Sequence, residues 1–114
     1  MDEHLRDEVN RLHANVCSAL GDPNRILIIY ALNERSLNVG ELAEALGSPQ
    51  PTISRHLKTL RDSGIVHAQR NGQSICYSIA DERVIQALDL LRAVLADTLE
   101  NRANLAHAAN QAVI

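Results

Sequence analysis

Four short breaks that contain glycine divide this chain, and they limit each segment to one or two elements of secondary structure. The breaks are Gly-Asp-Pro at 21–23, Gly-Ser-Pro at 47–49, Gly64, and Asn-Gly at 71–72. Glycine, proline and short polar residues end helices and form turns because they favour backbone angles that regular structure does not use. The breaks therefore predict several short helices, a hairpin and one long final segment.

The first two segments have the apolar spacing of helices. An apolar residue recurs every three or four positions between 3 and 20, which predicts an amphipathic helix there. These residues are Leu5, Val9, Leu12 and Val16. Asp22 before Pro23 is typical of an N-cap, so a second helix begins here and ends near Asn33. We expect its apolar residues to be largely buried, namely Ile26, Leu27, Ile29, Tyr30 and Leu32.

Two further helices meet at the second break. Asn38 caps a short helix that Gly47 ends, and the next helix follows at once. The predicted inner residues are Val39, Leu42, Ala43 and Leu46 on the first, and Ile53, Leu57 and Leu60 on the second. The second leaves small polar and basic residues outside, namely Thr52, Ser54, Arg55 and Lys58. Such a helix fits a DNA major groove, which is about 12 Å wide. An ordinary helical hairpin fits the spacing equally well.

The residues that follow favour the DNA-binding alternative. Gly64 begins a predicted hairpin over 64–80 whose turn is built around the Asn-Gly at 71–72, with Ile75, Tyr77 and Ile79 facing inward. A hairpin directly after such a helix is a wing. Its tip presents Arg70, Asn71 and Gln73 to phosphates or the minor groove.

The final segment predicts one long helix from Asp81 to about residue 110. Its seam is too long for a single small domain to cover, so we expect it to form a dimer interface with the first helix. The seam residues are Leu88, Leu91, Leu95, Thr98, Arg102 and Leu105. The prediction is one mainly α winged helix-turn-helix domain over 1–114, with about five helices. Residues 1–20 and 81–110 form its dimerisation helices, 38–61 the helix-turn-helix and 64–80 the wing.

Composition and charge agree with this prediction. The chain has 114 residues and 46% apolar residues but no Phe or Trp, so we expect one domain with an aliphatic core. Two cysteines, no signal peptide and no apolar run of membrane length predict a cytoplasmic protein. The net charge is −3, yet residues 48–70 carry four basic side chains and one acidic one. A single basic stripe of this kind can hold a phosphate backbone.

Several linked motifs resemble the ArsR family of bacterial repressors over roughly residues 9–98. They are ALGDPNRI at 19–26, VGELA at 39–43, QPTISRHLKTL at 50–60 and LRDSGIV at 60–66. The resemblance implies a homodimer that binds a palindromic DNA operator and is released by an inducer. The family usually has a serine where this chain has Pro49, so we expect Ser48 to become the N-cap. The placement of Gln50 and Thr52 depends on this cap more than that of Ser54 and Arg55.

The family's metal sites are not intact in this sequence, so we predict no metal and no cofactor. Residues 38–40 offer no thiol, and the long helix lacks the required pattern of histidines and carboxylates. Two alternatives for the signal stay open. One is a metal site between subunits that uses His4, His107 and Glu100. The other is a redox or arsenical switch at Cys17 and Cys76.

The sequence therefore predicts a DNA-binding transcriptional regulator, a repressor whose inducer is unknown. A winged-helix module that binds other proteins instead of DNA is the alternative. No phosphate loop or catalytic triad signature is present, so an enzyme is not expected. The predicted DNA contacts are Gln50, Thr52, Ser54, Arg55, His56, Lys58, Arg70, Asn71 and Gln73.

Overall fold

The computed structural model of the protein describes residues 1–112. Five helices and three strands lie within this range. The helices are α1 (Glu3–Leu12), α2 (Pro23–Glu34), α3 (Val39–Leu46), α4 (Gln50–Asp62) and α5 (Arg83–Ala112). The strands are β1 (Leu37–Asn38), β2 (Val66–Asn71) and β3 (Ser74–Ile79). The predicted mainly α winged helix-turn-helix fold is confirmed. The chain separates into a unit of Met1–Glu82 and a second unit that begins at Arg83.

The first helix continues beyond α1 through a π-helical segment, His13–Cys17. Asp2 caps its start by accepting a hydrogen bond from the His4 backbone N–H at 3.0 Å. A π turn holds about one residue more than an α turn. Val16, inside this segment, is half-buried, whereas Leu5, Val9 and Leu12 on α1 are exposed. The predicted helix is present, and most of its apolar stripe is exposed in the single chain.

The second helix begins as predicted, at the Asp22 cap, whose carboxylate accepts from the Asn24 backbone N–H at 2.8 Å. The prediction of its buried face is partly wrong. Ile29 and Leu32 are buried, but Leu27 is 54% exposed, and Ile28 is buried in its place. Ile26 and Tyr30 are half-buried. In a helix that is apolar on most sides, spacing alone does not determine which face turns inward.

The two helices of the helix-turn-helix pack through the predicted aliphatic residues. Asn38 and Glu41 form a reciprocal capping box at the start of α3. Gly47 ends α3 with a φ of 65°, which is the left-handed region that glycine adopts most readily. Leu42 and Ala43 are buried on α3, where Val39 and Leu46 are half-buried. The inner residues of α4 are completely buried, namely Ile53, Leu57 and Leu60.

The wing is a three-stranded antiparallel sheet in the order β1-β3-β2. Strand β1 was not predicted. The turn also differs from the prediction, because Asn71 pairs with Ser74 and the two-residue loop is Gly72-Gln73. Gly72 has a φ of 67°, which fits a hairpin turn with glycine at its first central position. Tyr77 is buried and Ile79 half-buried, but Ile75 is exposed, contrary to expectation.

The second unit contains the long helix α5, which begins at Arg83 rather than at Asp81. Ile85 and Leu88 are buried near its start. Farther along, α5 carries exposed large apolar side chains, namely Leu90, Leu91, Val94, Leu95, Leu99 and Leu105. None of the helices in the described range is long and apolar enough to cross a membrane.

Candidate nucleic-acid interface

A tight turn connects α3 to α4 and fixes where α4 begins. The backbone N–H groups of Gly47 and Ser48 donate to the carbonyls of Glu44 and Ala43, at 3.3 and 3.0 Å. The N-cap is Pro49, so the prediction that Ser48 is the cap is wrong. The backbone explains this. Pro51 has no N–H, and the N–H of Thr52 already donates to the Pro49 carbonyl at 3.1 Å, which leaves a capping side chain little to bind.

The outer face of α4 presents the polar residues that the sequence predicted there. Gln50, Ser54, Arg55 and Lys58 are exposed, and Thr52 is half-buried. This separation follows from helical periodicity, since buried residues recur every three or four positions and turn the residues between them outward. The outer face therefore brings several hydrogen-bonding groups to one surface.

Lys58 has a partner that the sequence analysis missed. Its ammonium group donates to Asp62 Oδ2 at 2.8 Å, one turn farther along α4. This hydrogen bond and the positive charges of Lys58 and Arg61 hold the pKa of the Asp62 carboxyl below its ordinary value. Oppositely charged residues four positions apart on a helix are neighbours, so the sequence contained the signal for this pair. Both side chains are more than half exposed, so separating them costs little free energy.

The tip of the wing is exposed at Arg70, Asn71 and Gln73. The hairpin register aligns Arg70 with Ile75 and places the tip at the end of β2 and β3. Arg70 and Asn71 also line an open surface pocket of about 330 Å³, together with Cys76. The wing tip therefore exposes one positive charge and two hydrogen-bonding groups.

The structure places His56 apart from the other predicted contacts. Its side chain is 14% exposed, and its Nε2 atom lies 4.0 Å from Asp22 Oδ1. Its Nδ1 atom lies 3.2 Å from an Arg25 guanidinium nitrogen. His56 therefore faces α2 rather than the outer surface, although it follows Arg55 directly in the sequence.

The thiols and histidines do not form a cluster in the described residues. Cys17 is an exposed free thiol in the π-helical segment, and Cys76 is a half-buried free thiol on β3. Between residues 1 and 112, no three His, Cys, Asp or Glu side chains are arranged to hold a metal ion. His4 lies on α1 and His107 on α5, where His107 contacts Gln111 at 2.9 Å. The proposed site between subunits and the thiol switch stay predictions.

Comparisons with known proteins agree on one family. Residues 22–68 match the model of "Bacterial regulatory protein, arsR family". The chain is 42% identical to the HTH-type transcriptional regulator NmtR of Mycobacterium tuberculosis over 76 residues, which are 67% of this chain but 63% of NmtR. It is 36% identical to the biofilm growth-associated repressor of Xylella fastidiosa over 78% of this chain and 77% of the relative.

A solved structure gives the same result. The homodimeric winged helix-turn-helix DNA-binding domain Mb0332 of Mycobacterium bovis superposes with a TM-score of 0.76 and 29% identity. The superposition covers 89% of this chain and 93% of that one. The match to NmtR, by contrast, spans less than two thirds of that relative's length.

Proposed function

Since this chain belongs to the arsR family of bacterial regulatory proteins, we propose that it is a sequence-specific DNA-binding repressor that works as a homodimer. The observation that carries the proposal is the outer face of α4, where polar and basic side chains are exposed on the helix that directly precedes a wing with a basic tip. The names of the relatives support it, because several are called transcriptional regulators or repressors.

The chemistry of the outer face divides the contacts into two kinds. Ser54 and Arg55 are exposed in the first half of α4, the part of a recognition helix that reaches base edges in the major groove. The fork of an arginine matches the two acceptors of guanine. Gln50 and Thr52 lie one turn earlier and add hydrogen-bonding groups. They lie at the start of α4 beside Pro49, where both backbone and side-chain groups can contact the DNA.

The remaining contacts position the protein on the DNA backbone. Lys58 and Arg70 are exposed cations on α4 and on the wing, and we assign both to phosphates. Asn71 and Gln73 at the wing tip contact phosphate or the edge of the adjacent minor groove. His56 is omitted from this set because a side chain that is 14% exposed and faces α2 is poorly placed to approach DNA.

Two-fold symmetry then determines the form of the operator. A homodimer presents two copies of α4, which address half-sites about one helical turn apart, roughly 34 Å. The operator should be an imperfect palindrome. Neither residues 38–40 nor the described part of α5 provides the family's usual metal ligands, so the inducer of this repressor should be something other than a metal bound at those positions.

The experiment is a mobility-shift titration of the region upstream of the protein's own gene, with random DNA as the competitor. We expect Arg55→Ala to weaken operator binding by about 1–3 kcal/mol and to relax the preference for one base, as loss of a base contact should. Arg70→Ala should weaken binding to all sequences alike and reduce the salt slope by about one.

Arg11→Ala is the matched control, since it removes one exposed positive charge from α1 and should leave the salt slope unchanged. Operator affinity that stays at the wild-type value in both test variants would refute the assignment of contacts. A wild-type protein that prefers no DNA sequence would favour the protein-binding alternative.

A further inference from the structure

The side chain of Arg25 connects three parts of the molecule. It lies in the first turn of α2, and its Nε donates to the Ala19 carbonyl at 2.6 Å. One terminal nitrogen donates to the Ser18 carbonyl at 3.3 Å, and the other contacts His56 Nδ1 at 3.2 Å. The guanidinium group therefore links the end of the first helix to the middle of α4.

The chemistry of arginine determines which atom donates and which accepts in this hydrogen bond. Arginine stays protonated and can only donate, so His56 Nδ1 must accept and the proton of the neutral ring lies on Nε2, toward Asp22. The carbonyls of Ser18 and Ala19 lie at the C-terminal end of the first helix, which carries the negative end of the helix dipole. A cation with a planar fork matches these acceptors better than the point charge of a lysine.

The hydrogen bond between Arg25 and His56 is directional, whereas the rest of the buried face of α4 makes apolar contacts. The other inner residues of α4 are Ile53, Leu57 and Leu60, and aliphatic packing tolerates small rotations better than a hydrogen bond does. A helix with its side chains has a radius of about 5–6 Å, so a rotation of about 20° moves a side-chain tip by about 2 Å. A shift of that size breaks a hydrogen bond to a base edge.

We propose that Arg25 and His56 are positioning residues for DNA readout, because their hydrogen bond fixes the rotation of α4 against the end of the first helix. This inference rests on the proposed function. His56 lies on the same helix, about 100° around its axis from Arg55 and about 200° from Ser54. The angle at which Ser54 and Arg55 meet the base edges therefore depends on a bond made on another face of α4. The pair touches no DNA and acts through α4.

The test compares variants that keep or remove the hydrogen bond. His56→Leu removes the acceptor, and Arg25→Lys keeps the charge but loses the fork. His56→Asn keeps an acceptor oxygen near the place of Nδ1. We expect His56→Leu and Arg25→Lys to lower operator affinity about tenfold, and to change affinity for random DNA and the salt slope little, because the phosphate contacts stay. His56→Asn should restore affinity to within about threefold of wild type.

Equal losses on operator and random DNA, or a His56→Asn variant as weak as His56→Leu, would overturn the proposal. If His56→Leu does not fold, Arg25→Lys provides the test.

A measurement without DNA separates this inference from the proposed function. In ¹H–¹⁵N spectra of the free protein, Arg25→Lys should shift the Ser54 and Arg55 amides, and His56→Asn should shift them less. Unchanged amides would refute the positioning role, whereas wild-type protein that lacks sequence preference would refute the function.

Discussion

At the scale of single residues, Lys58 has two competing anionic partners in the proposed complex, its own Asp62 and a DNA phosphate. The Asp62 carboxylate holds the ammonium group at 2.8 Å in the free protein. We expect Asp62→Asn to strengthen operator binding by about two- to fivefold, because it frees Lys58 and removes a negative charge close to the DNA. Glu44→Gln on α3 is the control for a general charge effect. Weaker binding of Asp62→Asn in a mobility shift would contradict the assignment of Lys58.

The same pair makes a prediction about pH. The pKa of Asp62 is lowered in the folded protein, so its contribution to stability is present above the unfolded pKa and is lost as pH falls through the folded value. When Lys58 moves to a phosphate, the hydrogen bond that lowers the pKa is lost. Carboxyl ¹³C titration should therefore show the Asp62 pKa rising when the operator is added, and a pKa that falls would contradict the exchange.

The two thiols allow a direct test of the signal. Zinc, cadmium and arsenite should not release the operator through the family's usual positions, because residues 38–40 supply no thiolate ligand. The test titrates the operator complex with each metal and with a mild oxidant, for wild type, Cys17→Ser and Cys76→Ser. Release by oxidant that either substitution abolishes would establish the redox alternative. Release by zinc that survives both would point to the histidines.

Partners that are close in sequence leave a signal in the sequence, although the one for Lys58 and Asp62 was missed, whereas partners that are distant in sequence leave none. The caps at Asp22 and Asn38 were found because their partners lie within three positions. Arg25 and His56 are 31 positions apart, and their contact depends on how α2 and α4 pack. The sequence analysis therefore counted His56 among the DNA contacts and gave no sign of its contacts with Arg25 and Asp22.

At the scale of elements, the same rule separates the strands that were found from the one that was missed. The hairpin of β2 and β3 is local and carries an alternating pattern and an Asn-Gly signal. Strand β1 has two residues and exists because Leu37 and Asn38 pair with Tyr77 and Cys76 on β3. Two residues show no periodicity, so their pairing appears only in three dimensions. The π-helical turn likewise has no residue signature in this sequence.

The glycines of α3 give a test of element geometry. Gly47 has a φ of 65°, so Gly47→Ala should lower the free energy of unfolding by about 1 kcal/mol. Gly40→Ala is the matched variant, because Gly40 has no positive φ and its added Cβ would lie 3.4 Å from Asn38 Oδ1, an ordinary contact. It should raise the same free energy by about 0.5 kcal/mol. Urea unfolding at one protein concentration measures both, and a Gly47→Ala variant as stable as wild type would contradict this account of the helix end.

At the scale of the whole molecule, charge is distributed so that a protein of net negative charge can approach DNA in one orientation. Residues 48–70 are the basic segment and contain α4, whereas residues 1–24 carry five acidic side chains and two basic ones. Electrostatic attraction acts within about a Debye length, which is roughly 8 Å at physiological salt. The basic segment is attracted to phosphate while the acidic one is repelled, which limits non-specific binding.

The exposed leucines of α5 support the dimer on which the operator's symmetry depends. Leu91 is 62% exposed and Leu95 58% exposed in the single chain, and burying the exposed part of each would contribute about 1–2 kcal/mol. Leu91→Glu should replace that gain with a buried carboxylate, so we expect a monomer at micromolar concentration in sedimentation. Operator binding should be lost as well, because a monomer makes only half of the contacts.

Ala93→Glu is the control, since two positions along a helix turn its side chain about 200° away from that of Leu91. It should leave both dimer and operator binding intact. A wild-type protein that sediments as a monomer, or a Leu91→Glu variant that stays dimeric, would refute the assignment of α5 to the interface.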